Sequence, residues 1–170
     1  MASNLQFIKK FTAYNVSYLD TPDLFTPDYD VYFWTITRFN VSGDEVFEMK
    51  LLDSSNSVIE SNYYWASLQL KSNTSFNEAE NHNRPKIDFI AELDGDDEKN
   101  IGLSGYVFKP YTSSTYTYGN VQSSGMDGSN LFGSKGIWAH QNAQQINGLR
   151  LKAQHPVTIS NLEVNFYGVK

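Results

Sequence analysis

The sequence contains no cysteine among its 170 residues, and this absence excludes disulfide bonds and metal sites built on thiolates. It also has no apolar run near the roughly 18 residues that a membrane span requires. The first seven residues lack the apolar core of a signal peptide. We therefore expect a chain that is neither inserted in a membrane nor exported through a cleaved signal.

Charge is scarce as well. Charged residues make up only 19% of the chain, the net charge is −6, and no block rich in lysine or arginine occurs. Nucleic-acid binding depends on a basic patch that neutralises phosphates. The sequence therefore predicts no nucleic-acid partner.

Aromatic residues are abundant, with 11 tyrosines and 11 phenylalanines, and apolar residues alternate with a period of two in many short stretches. The clearest are Tyr29–Arg38, Val46–Leu52 and Val157–Val169. Alternation of this kind is typical of half-buried strands, whereas no stretch of ten residues shows the period of a helix. Short strands separated by frequent turn signals predict an all-β protein, an antiparallel β-sandwich with a jelly-roll-like topology. We expect a single domain over residues 1–170, in which residues 1–28 form an N-terminal arm or edge strands.

Two segments are weakly patterned. The stretch Lys71–Pro85 is polar and rich in asparagine, and it is predicted as the longest loop, with Asn73–Arg84 as its core. Whether that loop becomes ordered only on assembly stays open. The stretch Tyr111–Asn130 is rich in Ser, Thr, Tyr and Gly, and it predicts one short strand plus loops.

The acidic segment Asp94–Glu98 superficially resembles a calcium loop, because calcium binds several oxygens on a tight turn. The spacing of an EF-hand is absent, and a solvated hairpin turn is the competing interpretation. The sequence leaves open whether an ion binds at this turn. The sequence predicts no metal site and no cofactor.

Catalytic patterns are also missing. The three histidines, His82, His140 and His155, stand apart without metal-ligand spacing, and no G-x-S-x-G nucleophile motif occurs. A glycosidase needs two apposed carboxylates, but no pair stands out among the acids on predicted strands. These acids are Glu48, Glu60, Asp88, Glu92 and Glu163. We therefore predict that the protein is not an enzyme.

Five aromatic residues form the candidate ligand-binding set. Tyr63, Trp65, Tyr116, Tyr118 and Trp138 are suited to stack on sugar rings, because their rings combine an apolar face with a polar group. Such residues also serve as core or subunit-interface side chains. The sequence leaves both interpretations open, with a glycan or a protein partner as the ligand.

Three pieces of the chain resemble a diffuse family of small β-rich virion proteins and fibre-associated domains from tailed bacteriophages, especially those of marine and cyanobacterial hosts. The first is Phe7–Ala13 followed by Tyr29–Ile36. The second is Leu103–Pro110, which is similar to the family's L-S-G-x-x-x-x-x-P element. The third is Ile146–Leu151 followed by Val164–Lys170, which is similar to a terminal L-Y-G-I-K. The pieces occur in the family's order and together span most of the chain.

The resemblance implies a place in the virion, after synthesis in the host cytoplasm, and it transfers no catalytic residues. The departures are a longer acidic turn at Asp94–Lys99 and the Asn-rich segment Asn73–Arg84. A compact domain without a stalk suits a surface knob better than a long fibre. We therefore expect a capsid decoration (cement) protein, built as a homo-oligomer, most plausibly a trimer, in contact with the major capsid or tail protein. The alternative is a tail-fibre or baseplate-associated domain that binds host carbohydrate.

Overall fold

The computed structural model describes residues 4–73, 76–88, 91–93, 95, 101–127 and 129–170. None of these residues belongs to a helix long and apolar enough to cross a membrane. The strands are β1 Leu5–Ala13, β2 Leu19–Asp20, β3 Val31–Val41, β4 Glu45–Asp53, β5 Tyr63–Lys71, β6 Phe76–Arg84, β7 Glu92–Leu93, β8 Gly102–Phe108, β9 Thr117–Asp127, β10 Asn130–His140, β11 Ile146–Ala153 and β12 Ile159–Val169.

The strands form two antiparallel sheets that pack as a sandwich, which confirms the all-β prediction. The large sheet has eight strands in the order β1-β12-β3-β8-β9-β10-β5-β6. The small sheet has four strands in the order β2-β11-β4-β7. The jelly-roll detail of the fold stays a prediction.

Alternation in the sequence decides which face of each strand is buried. In β3, Trp34 and Ile36 are buried, whereas the intervening Phe33 and Thr35 are partly exposed on the opposite face. The strand lies between β12 and β8, which is the central position that its two largely apolar faces predict.

The core lies between the two sheets and draws side chains from both. Trp34 and Phe39 of the large sheet pack on Phe47 of the small sheet, with ring centroids 6.5 and 5.8 Å apart. Leu149 of β11 and Phe166 of β12 are fully buried in the same cluster. Full burial of one such side chain contributes about 1.5–3 kcal/mol.

A buried tyrosine also joins the sheets. The Tyr63 hydroxyl of β5 accepts a hydrogen bond from the Leu51 backbone N–H at 2.8 Å and donates one to the Ile59 carbonyl at 3.2 Å. Burial raises the pKa of Tyr63 well above its ordinary value. The phenol therefore stays neutral and keeps both hydrogen bonds.

The segment predicted as the longest loop is instead largely strand β6. Its residues 76–84 pair with β5 in antiparallel register, so that Glu78 lies opposite Leu68. The strand carries polar side chains on both faces because it is an edge strand with little buried surface. Only Ala79 packs against the core. The prediction of a loop at Asn73–Arg84 is therefore corrected.

Strand β9 is likewise longer than the sequence predicted for Tyr111–Asn130, since it runs through eleven residues. A small residue is needed in β9 where a large side chain of the neighbouring strand fills the core. A Cβ atom at Gly119 would lie 2.2 Å from the indole ring of Trp138. The low apolar content of β9 thus reflects large rings on neighbouring strands, and it does not indicate a loop.

Candidate functional site

Exposed apolar side chains are concentrated on the outer face of the large sheet, the face turned away from the small sheet. Twelve large apolar side chains among the described residues are exposed, and nine of them lie on this face. Monomeric proteins rarely expose contiguous apolar patches beyond a few hundred Å², and such patches mark interaction sites. The nine are Leu5, Phe7, Leu68, Leu70, Phe76, Tyr106, Tyr118, Leu131 and Ile137.

One half of this face carries a row of aromatic rings, which we call the ridge and define as Phe7, Tyr167, Phe33 and Tyr106. These residues are direct cross-strand neighbours on β1, β12, β3 and β8. Successive ring centroids lie 5.7, 6.0 and 4.9 Å apart. Pairs at these distances stabilise one another beyond the area they bury, so the ridge is a preformed surface.

The same row continues across the other half of the face. Tyr106 pairs with Asn120 on β9, Asn120 with Ile137 on β10, and Ile137 with Ala66 on β5. Asn120, Ile137, Ala66 and Ala139 line a depression of about 490 Å³, which we call the hollow, together with larger side chains that include Phe108 and His82. Tyr64 and Tyr118 stand at its sides.

The structure separates the five aromatic residues that the sequence predicted as a ligand-binding set. Tyr63, Trp65 and Trp138 point inward and are at most 4% exposed, so they cannot stack on a ligand at the surface. Tyr116 and Tyr118 are exposed, with ring centroids 6.4 Å apart. The predicted platform is thereby reduced to two residues.

Tyr116 and Tyr118 border a groove of about 540 Å³ at one end of the large sheet. Asp30 and Lys109 also line this groove. The groove combines two ring faces with one acidic and one basic side chain, which are the groups that sugar hydroxyls and stacked sugar rings use.

The three histidines lie in unrelated environments. His140 is fully buried, His82 packs on Tyr64 at the surface with a centroid distance of 5.3 Å, and His155 contacts Glu45 at 2.6 Å. Burial acts to raise the pKa of Glu45, but hydrogen bonds from His155 and the Val46 N–H outweigh it and lower the pKa. Among the described residues, no group of three or more potential ligands could hold a metal ion. The acidic residues of the turn Asp94–Glu98 lie outside the described residues.

The five acids considered as catalytic candidates each contact a lysine. Lys86 bridges the buried carboxylates of Glu48 and Asp88 at 3.3 and 3.1 Å. Lys50 contacts Glu60 at 2.6 Å. Glu92 pairs with Lys71 at 3.0 Å and Glu163 with Lys10 at 2.7 Å. These pairs offset the charges of the five carboxylates, at the surface for Glu60 and Glu163 and in buried positions for Glu48 and Asp88.

The ridge was not identified from the sequence. Its members were assigned to four separate strands, and each aromatic residue at an outward position is unremarkable by itself. One signal in the sequence could have indicated the ridge. Several strands that were predicted from alternation carry a large aromatic residue at a position that faces away from the core. Only the register brings Phe7, Phe33, Tyr106 and Tyr167 into one row.

The chain matches no protein-family model, no curated protein and no solved structure at a significant level.

Proposed function

We propose that the protein is a non-enzymatic structural component of a bacteriophage particle and that it binds its neighbours through the outer face of the large sheet. The observation that carries this proposal is the concentration on that face of nine of the twelve large apolar side chains that are exposed within the described ranges. Burial of such a face on a partner stabilises the bound form, since binding to the folded state adds to its stability.

The sequence resemblance supports the same surface. The pieces Phe7–Ala13, Tyr29–Ile36, Leu103–Pro110 and Val164–Lys170 overlap β1, β3, β8 and β12, which are four adjacent strands of the large sheet. They also contain all four residues of the ridge. The remaining piece of the resemblance, Ile146–Leu151, lies on β11 of the small sheet, so the resemblance includes the strands of the aromatic half but is not confined to them.

Within the particle, we propose capsid decoration as the role. The described residues form a compact sandwich with no long helix or repeat that would build a fibre shaft. A decoration protein works by covering junctions between capsid subunits, which requires an apolar contact face and no chemistry.

The copy number of the chain in purified phage particles, measured by quantitative mass spectrometry, tests this proposal. Hundreds of copies per particle are expected for a decoration protein. A few to a few dozen copies would overturn decoration and support a tail or vertex position. A chain that is absent from the particles would overturn the virion proposal.

A second candidate function is the binding of host carbohydrate, and the groove beside Tyr116 and Tyr118 is the observation that favours it. Loss of one stacked ring typically weakens binding, so Tyr116→Ala is expected to abolish any signal on a glycan array. Tyr14→Ala is the matched control, because Tyr14 is also exposed but lies outside this groove. Equal glycan binding by the two variants would argue against the groove.

A further inference from the structure

Three depressions adjoin one another on one half of the outer face. The hollow shares Phe108 and Tyr118 with the groove at the end of the large sheet. On its other side, the hollow shares Ala66, Glu80 and Ile137 with a third depression of about 640 Å³. We call the three depressions together the channel. It runs from the end of the sheet across β9, β10 and β5 to the edge strand β6.

The channel is long for its width. Along β5 it extends from Leu68 to Tyr64, a distance of about 14 Å in an extended strand. From Tyr64 it crosses two strands to Tyr118, which adds about 10 Å. A path of roughly 24 Å is longer than a single sugar or a comparable small molecule, so the shape suits a chain-like ligand.

Aromatic rings border the middle of the channel. Ala139 lies directly between its cross-strand neighbours Tyr118 and Tyr64, so its small side chain leaves a slot between two tyrosines. The His82 ring packs edge-on against Tyr64, with ring centroids 5.3 Å apart, and helps to hold that ring in place. The faces of such rings stack on the apolar faces of sugars.

Polar groups border the part of the channel nearest β6. Ala66 lies between Ile137 and Glu80, and the next row contributes Glu78 and Lys135. Within the described part of the chain, neither Glu78 nor Glu80 has a lysine or arginine within ion-pairing distance. Glu80 lies 4.0 Å from His82. Carboxylate and ammonium groups of this kind can hydrogen-bond to the hydroxyls of a ligand.

The main chain beneath the channel is already fully used by the sheet. Strand β10 pairs with β9 and β5, and β5 pairs with β10 and β6. An extended peptide that lay on these strands would find no main-chain partners, and unpaired amides are costly to bury. A sugar chain forms its hydrogen bonds through hydroxyls, which the side chains along the channel can reach. The channel therefore favours carbohydrate over peptide.

We propose that the channel binds a neutral carbohydrate chain of several sugar residues, which lies across the sheet from Tyr116 to Glu78. A sulphated chain or a chain of uronic acids would meet Glu78 and Glu80, and this contact between like charges is unfavourable. The inference rests on carbohydrate binding, the second candidate function, and extends it from the groove to half of the outer face. It leaves the ridge on the other half for contact with neighbours in the particle.

A series of ligands of increasing length tests whether the whole channel is used. The probes are linear neutral oligosaccharides of glucose, mannose, xylose or galactose with one to six residues, and isothermal titration calorimetry gives the dissociation constants. In a series that binds, the constant is expected to fall at least about tenfold between one and four residues, because each further residue adds contacts. A constant that does not change with length overturns the inference, as does the absence of binding in all four series.

A pair of phenylalanine substitutions tests the position of the site. Ala66→Phe fills the channel where two of its depressions meet, and it is expected to weaken tetrasaccharide binding at least about tenfold. Ser124→Phe is the matched control, because it adds the same ring at an exposed position of β9 that borders none of the three depressions. It is expected to change the constant less than about twofold. Equal effects, with both folds intact by circular dichroism, overturn the proposed site.

Two further outcomes test the class of ligand. Polygalacturonate, an acidic chain, is expected to bind more weakly than the neutral chains, and tighter binding overturns the assignment of a neutral ligand. If no oligosaccharide binds but Ala66→Phe removes the chain from phage particles, a protein neighbour occupies the channel and the inference is overturned.

The results separate the inference from the functions proposed above. A single sugar whose binding is lost in Tyr116→Ala but unchanged in Ala66→Phe leaves carbohydrate binding at the groove standing and contradicts the longer channel. The copy number of the chain in phage particles depends on neither measurement, so the virion role is tested independently.

Discussion

His140 is fully buried at the end of β10, and its ring lies 5.2 Å from that of Tyr63. Burial lowers the pKa of His140 from the ordinary value of 6.5, and backbone groups of Asn142 and Ser61 offset this only in part. The imidazole of His140 therefore binds a proton at a higher pH in the unfolded chain than in the folded chain. The contribution of His140 to stability is complete above pH 6.5 and is lost as the pH falls below that value.

We expect the free energy of unfolding, measured with urea, to fall between about pH 7.5 and about pH 5.5. His140→Gln should reduce this slope because the substituted side chain does not titrate. His82→Gln is the control, since it removes an imidazole from the surface and leaves His140 in place. A slope that His140→Gln does not alter would contradict the assignment.

Gly119 shows how one residue without a side chain accommodates a buried ring. A Cβ atom there would lie 2.2 Å from the Trp138 ring and 2.5 Å from the Tyr106 carbonyl oxygen, which is backbone and cannot rotate away. Gly119→Ala is therefore expected to destabilise the fold by about 1–3 kcal/mol or more.

Gly102→Ala is the matched control in the neighbouring strand β8, because its Cβ atom would meet nothing closer than 3.9 Å. It is expected to change stability by less than about 0.5 kcal/mol. Urea unfolding of the two variants compares them directly. Similar stabilities would show that Trp138 can move away from Gly119.

At the scale of single elements, β4 carries the strongest charge network of the small sheet. Glu48 faces away from the core, but it is buried beneath Lys86 at 3.3 Å and also lies 3.8 Å from Lys50 and 3.8 Å from Lys152. Removal of its charge leaves three lysines close together without their shared carboxylate. Glu48→Gln is expected to cost about 2–3 kcal/mol of unfolding free energy.

Glu60→Gln provides the comparison for this network. Glu60 contacts Lys50 at 2.6 Å, but its side chain is 60% exposed, so its loss should cost under about 1 kcal/mol. Thermal unfolding followed by circular dichroism compares the two variants. A smaller loss for Glu48→Gln than for Glu60→Gln would contradict the view that burial makes this network important.

The sequence predicted those strands in which large apolar residues recur at every second position. Strand β4 was predicted because Phe47, Met49 and Leu51 alternate with Glu48 and Lys50, and the structure buries the first three. Strands β3 and β12 followed from the same alternation.

The strands that were missed obey different constraints. Strand β6 buries almost nothing, so its pattern carries no period, and only the backbone pairing with β5 makes it a strand. Strand β9 has small residues where rings from neighbouring strands need space, as at Gly119. The strand propensity of a single segment predicts neither the edge strand β6 nor the small residues of β9, because both depend on residues that are distant in the sequence.

The outer face of the large sheet could not be predicted from the sequence either, because it also depends on residues that are distant in the sequence. The sequence left Tyr63, Trp65 and Trp138 open between a ligand-binding and a core position, and only the structure shows that each lies on the inward side of its strand, whereas Tyr118 is exposed. The ridge joins Phe7 to Tyr106 through two other strands, and register across a sheet cannot be obtained from single-strand patterns.

At the scale of the whole molecule, the large and small sheets share one core. The buried cluster contains Trp34 and Phe166 from one sheet and Phe47, Met49 and Leu149 from the other. Because neither sheet can bury its apolar face without the other, we expect the chain to unfold in a single cooperative transition.

The composition provides a clean test of this cooperativity. All three tryptophans, Trp34, Trp65 and Trp138, lie on the large sheet, so their fluorescence reports its unfolding. The chain has no cysteine, so Ser55→Cys places a single labelling site in the exposed turn after β4 of the small sheet. Tryptophan fluorescence and the attached dye are expected to give the same midpoint in urea. An earlier midpoint for the dye would mean that the small sheet unfolds while the large sheet persists, and the outer face could then remain intact in a partly unfolded chain.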